Sequence, residues 1–473
     1  MKRLLYTLTI YFCLLSSALS QESLGLHMDK YSGTDLMFWN PSNMTSSANR
    51  WDITLGSAHI FGFSDYAFLR NSSLFDLTDD ARLAQVIGAR GAIPNDSENG
   101  VFLIYDEDFG DKTFSTKLTV SGPAVSFQVK ENWRIGIFTK LRTHLTAPDI
   151  PENFGLFELN TARFVDGSLN LDPASGAGLY FFEFGGHVST QLSDEWSIGG
   201  NIKAQIASEG FFLDSNANTT IPFDLESING DANGSVLDNI DFGTTNNVIN
   251  SEEFSPFDNL DSGFGLGIDL GARITKETWS AGLSIIDFGF VRMRNNVELY
   301  TIINSTQELF FDDYLLVTSL REALDQLAVD FDLNPFVDNG FTIGLPTGLV
   351  LQGSMKLNED FNISGQFTQR IPVFNNSLAR ENSIAVAPHY STKWLSVFAP
   401  ITLYEYSRVR VGFAARIGIL TVGSDHLGTL FRDHDFRGSD LYVKLSVIPF
   451  QLNSNKKSKG RRNGKSNVKC YEF

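Results

Sequence analysis

The sequence predicts an all-β fold, a transmembrane antiparallel β-barrel of about 14 strands. Three observations predict it. Tryptophan recurs just after short polar turns, long segments alternate strictly between apolar and polar residues, and the short turns alternate with long loops. "KENWRIG" begins at Lys130, "SDEWSIG" at Ser193 and "KETWSAG" at Lys276; "NEDFNIS" at Asn358 carries Phe361 in the aromatic place, and "STKWLSV" at Ser391 is a looser copy. With Trp51, five of the six tryptophans open an alternating segment.

The chain begins with Lys2 and Arg3, an apolar run from Leu4 to Leu15, and small residues Ala18 and Ser20. This pattern reads as a secretory signal peptide over 1–20, cut after Ser20. The run is too short to span a bilayer, and no later stretch holds the roughly 18 uninterrupted apolar residues that a transmembrane helix needs. Cys13 lies inside the apolar run, so the remaining Cys470 has no partner for an internal disulfide. Loss of Lys2 and Arg3 moves the formal charge from -18 to about -20. That balance implies no nucleic-acid partner.

The strands share one phase. From Trp196, Ile198, Ile202, Ala204 and Ile206 lie on one face, with Ser197, Asn201, Lys203 and Gln205 on the other. From Trp133, Ile135, Ile137 and Leu141 oppose Arg134, Lys140, Arg142 and His144. Alternation of period two over ten residues is a strand signal. A soluble sheet with one buried face would alternate in the same way. The barrel reading adds what the sandwich lacks: strands of about 9–11 residues, as a tilted span requires, and an aromatic girdle at one rim. On that reading the isoleucines face lipid, Lys203 faces the lumen and the Trp turns are periplasmic.

Fifteen candidate strands are legible: 50–62, 64–71, 101–106, 114–130, 133–146, 178–192, 196–210, 262–275, 278–292, 341–357, 360–371, 382–392, 394–406, 407–420 and 439–450. An even number is expected, so one early segment should lie inside the barrel or in a loop. The loops 146–177, 211–262 and 291–340 belong to the end opposite the Trp turns. Asp312 to Phe331 carries apolar residues at helical spacing and 77–91 reads as a second short helix. The tail 451–473, with seven basic residues, reads as a disordered periplasmic extension.

"FWNPSNM", Phe38 to Met44, resembles the Asn-Pro-Ala-type segment near the mature N-terminus of FadL-like (long-chain fatty acid transporter-like) barrels, with Ser42 in place of the usual alanine. Residues 341 to 367 resemble their late hairpin. The Phe-rich style and the closing "GSDLYVKLSVIPF" resemble FadL-related barrels of unassigned function in Bacteroidota, and more distantly the PorV-like type IX secretion barrels. The resemblance implies a plug at 21–48 inside a barrel at 49–450, in the outer membrane. It also implies passive uptake of hydrophobic or amphipathic small molecules. The alternative is a non-transporting scaffold or a secretion-system or gliding-associated adaptor barrel, for which long acidic loops would suit a protein partner.

Candidate ligand residues come from the inward phase: Arg134, Lys140, Arg142, Lys203, Arg273, Arg408, Arg410 and Arg416. Arginine grips a carboxylate bidentately, so part of this set would hold the acidic head of an amphipathic ligand while some of the 40 phenylalanines hold its tail. The alternative is that the cations pair with carboxylates of the N-terminal segment, such as Asp29 and Asp35. Inward acids look fewer, with Asp269 and Glu405 the clearest. Asn229, Asp231 and Asn233 before Gly234 have the spacing of the first ligands of a calcium loop, but Ile240 stands where its final Glu belongs. An Asn/Gly-rich turn is the other reading of that stretch. No HExxH, G-x-S-x-G or CxxC occurs, so neither an enzyme nor a cofactor is expected.

Overall fold

The computed structural model describes residues 23–70, 73, 102–105, 112–150, 167–171, 174–215, 219–223, 231–232, 240–245, 262–295, 297–302, 309–310, 340–430 and 436–447. Its wall begins with β1 (Trp51–Ser64), β2 (Lys112–Ser121 continued as Ala124–Lys130), β3 (Trp133–Ile150), β4 (Ala174–Gln191) and β5 (Trp196–Ser215). It continues with β6 (Ile240–Thr245 and Gly263–Thr275), β7 (Trp279–Met293 and Val297–Ile302) and β8 (Thr342–Gly344 and Gly348–Lys356). β9 (Phe361–Arg370), β10 (Ser383–Ser391), β11 (Leu395–Phe398 and Ile401–Tyr404) and β12 (Arg408–Val411 and Phe413–Ile417) follow. β13 (Leu420–Ser424) and β14 (Gly438–Val447) complete the series. Each strand pairs antiparallel with the next, and β14 pairs with β1 from Ile53↔Val447 to Phe63↔Gly438. The result is a closed 14-strand barrel, with no free sheet edge.

The total agrees with the sequence reading, but its members differ. Segments 64–71 and 101–106 are not wall strands: Ala67–Arg70 pairs with Phe102–Tyr105 in a separate two-stranded sheet. The strand expected at 407–420 is two. It turns at Gly418, which has φ 59°, and returns as β13. Five residues with no tryptophan are too short for alternation to register as a strand. Several strands also outrun their expected ends, β5 to Ser215 and β7 to Ile302. The wall from β3 to β7 therefore stands taller than the wall from β8 to β14. The helical stretches at 77–91 and 312–331 and the tail lie outside the described residues, as do Asn229 and Asn233; the Asp231–Ala232 backbone pairs with Leu309–Phe310.

Burial follows the predicted phase. Ile137 is 64% exposed and Ile202 71%, while Arg134 and Lys203 on the opposite face are buried. Trp133, Trp196, Trp279 and Trp394 are exposed at one rim, beside the short turns. An outward apolar belt of this kind on a closed barrel is the signature of a membrane-spanning wall.

Residues 23–46 occupy the interior, in two short helices, α1 (Leu24–His27) and α2 (Leu36–Trp39), and two 3-10 turns, Gly33–Asp35 and Pro41–Ser46. Short helices leave many backbone groups unpaired, and the wall satisfies several of them. Leu24 N–H donates to Asp425 Oδ2 at 2.9 Å, and Gly25 N–H to Tyr442 Oη at 3.2 Å. Asn201 Nδ2 donates to the Met37 carbonyl at 2.9 Å and Ser284 Oγ to the Trp39 carbonyl at 2.6 Å. Asn40 caps the last turn by accepting from Ser42 N–H at 3.1 Å, as Asn does before a Pro-initiated turn.

Gly25 is required by close approach: a Cβ there would lie 2.4 Å from Ala414 Cβ and 2.8 Å from Tyr442 Oη. Gly25→Leu should therefore cost about 1–3 kcal/mol of plug docking, as overpacking does. The expected readout is faster proteolysis of 24–48 in the folded barrel, by roughly tenfold. Wild-type protection in this variant would mean that α1 does not sit against β12 and β14.

Candidate ligand site in the barrel lumen

The middle of the lumen is organised by one irregularity. Along β7 the outward phase runs through Ala281, Leu283 and Ile285, and strict alternation would put Asp287 into lipid. Instead β6 and β7 slip register between Ile268↔Phe288 and Leu270↔Ile285. Asp287 takes φ 53°, and the lipid phase resumes at Phe288 and Phe290, both exposed. This β-bulge turns a carboxylate inward. A non-glycine residue at positive φ costs on the order of 1–3 kcal/mol, so its surroundings must hold it. Asp287 N–H donates to Asp269 Oδ1 at 2.7 Å, and Thr347 Oγ1 to the Asp287 carbonyl at 2.9 Å.

Three cations converge on Asp287. Arg142 grips it bidentately, Nη1 to Oδ1 at 2.9 Å and Nη2 to Oδ2 at 3.1 Å. Lys203 Nζ lies 2.5 Å from Oδ1, and Arg380 Nη2 donates to Oδ2. Arg142 also reaches Glu183 Oε2 at 3.2 Å, Lys203 reaches Asp269 at 2.5 Å, and Lys117 and Ser115 both donate to Glu381. Such a network offsets the cost of taking charges out of water only while every member is paired. Lys140 is the exception. Among the described residues no carboxylate lies within 4 Å of it; its Nζ sits over the Phe38 ring at 3.3 Å and 5.4 Å from the Phe138 centroid.

A cavity of about 120 Å³ opens in this belt. Lys140, Arg142 and Lys203 form one part of its lining, and Leu26, Phe38 and Trp39 another. Trp39 stacks on His27 at 5.0 Å and faces the Arg380 guanidinium at 5.5 Å. Burial pushes the His27 imidazole down to about 4. The ring is therefore neutral at pH 7 and, hydrogen-bonded to Gln366 at 3.0 Å, adds no charge. Farther from the Trp turns, an apolar cluster including Leu179, Phe181, Phe212, Met293, Ile343 and Leu378 packs between the tall strands. Asp35, Asp269 and Asp287 also line it, each paired with a cation, so Lys140 on one side and the aromatic rings on the other are what the cavity offers an amphipathic anion.

The eight cations expected to face the lumen do not form one cluster. Lys140, Arg142 and Lys203 share the central belt. Arg134 sits near the Trp rim, paired with Asp52 at 3.2 Å and donating to the Asn49 carbonyl. Arg416 reaches Asp29 at 3.6 Å and Ser396 Oγ at 2.6 Å. Arg273 contacts the hydroxyls of Ser46 and Ser280. Arg410 lies toward the opposite end, its guanidinium 3.9 Å from the Tyr404 ring and 5.0 Å from that of Phe63, and Arg408 is half-buried beside it.

Inward acids are more numerous than the sequence reading had them, because Asp52, Glu183, Asp287, Glu381, Asp425 and Asp440 are all buried. Pairing with the plug carboxylates is partial: Asp29 takes Arg416, while Asp35 takes Lys444 at 2.5 Å. Lys117 and Lys444 were legible as inward residues of alternating strands. Arg380 was not, since it comes from the β9–β10 connection and enters the wall through its Nε–H bond to the Pro346 carbonyl at 2.8 Å. Among the described residues, no group of three His, Cys, Asp or Glu side chains could hold a metal ion.

A family model described as a family of unknown function (DUF5723) matches residues 93–425. No curated protein matches the sequence. Among solved structures, the chain is similar to the P. putida toluene transporter TodX at 9% identity, over 88% of this chain and 93% of that one, with a TM-score of 0.39. It is similar to the Ralstonia pickettii toluene transporter TbuX at 8% identity, over 86% and 91%, TM-score 0.36. A Pseudomonas aeruginosa FadL homologue is 11% identical over 86% and 91%, TM-score 0.36.

Proposed function

We propose that this chain, which belongs to the DUF5723 family of unknown function, is an outer-membrane barrel for passive uptake of hydrophobic or amphipathic small molecules. The observation that carries the reading is the central cavity, where Lys140, cross-strand from Glu183 but with no carboxylate within 4 Å among the described residues, lies beside the aromatic pair Phe38 and Trp39. A ligand with an acidic head and an apolar body matches both sides. Lys140 supplies the charge, because Arg142 and Lys203 are already engaged by Asp287, Glu183 and Asp269.

Lys140→Gln should weaken binding of a medium-chain carboxylate to nanodisc-embedded barrel by roughly tenfold, the value of one charge-assisted hydrogen bond. Equilibrium dialysis of labelled decanoate is the measurement. No saturable binding in the wild type, or equal affinity in the variant, would remove the basis of this reading. The rival reading, a scaffold that does not transport, draws on the plug: hydrogen bonds with β5, β7, β14 and Asp425, just past β13, hold it in the lumen. Saturable binding without any flux of decanoate into barrel-containing liposomes would favour the scaffold.

A further inference from the structure

A second cavity, of about 210 Å³, lies at the Trp-turn end of the lumen. Its wall is drawn from the plug, from β6 and β7, and from β8 and β9, and His27 borders both cavities. The ionic groups lining it are unbalanced. Lys30, Arg273, Lys276 and Lys356 face Asp29 and Glu359. Asp29 is engaged by Arg416 and Lys276 by Glu195. That leaves Lys30, Arg273 and Lys356 against Glu359. Among the described residues, no carboxylate lies within 4 Å of any of these three cations.

Arg273 is the centre of the imbalance. Its Nη1 donates to Ser46 Oγ at 2.7 Å and its Nη2 to Ser280 Oγ at 3.0 Å. Both acceptors are neutral, so among the described residues the positive charge has no carboxylate partner within 4 Å. A guanidinium has five N–H donors, and three remain after these two bonds. Ser46 spends its own proton on the Asn43 carbonyl at 2.7 Å, whereas Ser280 Oγ, an acceptor from Arg273, keeps a proton to donate. Gln352 and Ser364 add neutral hydrogen-bonding groups to the wall. A cationic fork and a hydroxyl donor beside open space, with the exposed Lys356 at its edge, form the donor set that recognises a carboxylate or a phosphate.

We propose that this cavity is a small-anion site built on Arg273, with Ser280 and Lys356 as its other donors, taking a carboxylate or phosphate group. It adjoins the central cavity at His27 but uses none of that cavity's cations, so it does not depend on what that cavity carries. The group could arrive as free phosphate or as the acidic head of a larger molecule.

The test is calorimetric titration of the full barrel in nanodiscs at low salt, with inorganic phosphate and separately with hexanoate. Wild-type protein should bind at least one probe saturably, and Arg273→Gln should lose about tenfold or more in affinity. Displacement of phosphate by hexanoate would assign the site to any small acid, and phosphate binding alone would assign it to free phosphate. Ser46→Ala removes one of the two bonds that position the guanidinium but keeps its charge, so it should lose less affinity than Arg273→Gln. Three results would overturn the proposal: no heat with either probe, unchanged affinity in Arg273→Gln, or an equal loss in Ser46→Ala. The last would make Arg273 a latch for the plug.

Discussion

Replacing Asp287 with asparagine should destabilise the folded barrel by about 3–5 kcal/mol, the cost of breaking a buried ionic cluster from one side. Asparagine keeps the size of the side chain and tolerates positive φ better than most residues, so the substitution isolates the charge. It leaves Arg142, Lys203 and Arg380 facing one another around a neutral amide. Glu183 and Asp269 still compensate two of the three, whereas Arg380 keeps no carboxylate within 4 Å among the described residues and is left with the Pro346 carbonyl and the Trp39 ring. A second substitution, Arg380→Gln, should therefore recover part of the loss, and the non-additivity of the pair measures their coupling. Urea unfolding in detergent or liposomes is the measurement, with the midpoint falling at unchanged slope. A change below about 0.5 kcal/mol, the ordinary range for surface substitutions, would mean that the bulge does not carry the charge network.

Arginine at Ile202 should cost about 2–4 kcal/mol, because the side chain would enter the middle of the bilayer. Ile202 is the most exposed isoleucine of the wall at 71%, and it lies six residues beyond Trp196 at the rim. Leu192, 62% exposed at the turn before Trp196, offers a control at the interface, where the same change should cost about 0–1 kcal/mol. Equal costs would contradict the assignment of the Trp turns to the membrane boundary. The lumen position Gln205 is a poor control, since it is fully enclosed and its Nε2 would lie 2.9 Å from a Cβ added at Gly267. An arginine there would overpack the interior.

Much of the fold was readable because a strand has period two and a membrane wall has one apolar side. Trp51, Trp133, Trp196 and Trp279 each stand at the first residue of a strand, as the repeated turn predicted. The readable part ended where a strand was too short, as in β13, or where an isolated pair imitated a wall strand, as in 64–71 and 101–106. The candidate site was legible only as a direction. Alternation put Lys140, Arg142 and Lys203 inward, but it did not tell the engaged cations from the unengaged one.

The sequence by itself determined the architecture and the two faces of the wall: the spacing of apolar residues along each strand is local, and lipid acts on every strand alike. The tertiary structure alone decided the interior. Contacts such as Arg142 with Asp287, or Leu24 with Asp425, join residues 145 and 401 positions apart, and no local pattern records which strands will face each other across a closed lumen. Asp287 joins the two cases. Period two assigns it to lipid, and a single bulge, held by Asp269, Thr347 and three cations, brings it to the centre of the charge network, because burying an unpaired carboxylate in hydrocarbon would cost far more than the local strain of the turn.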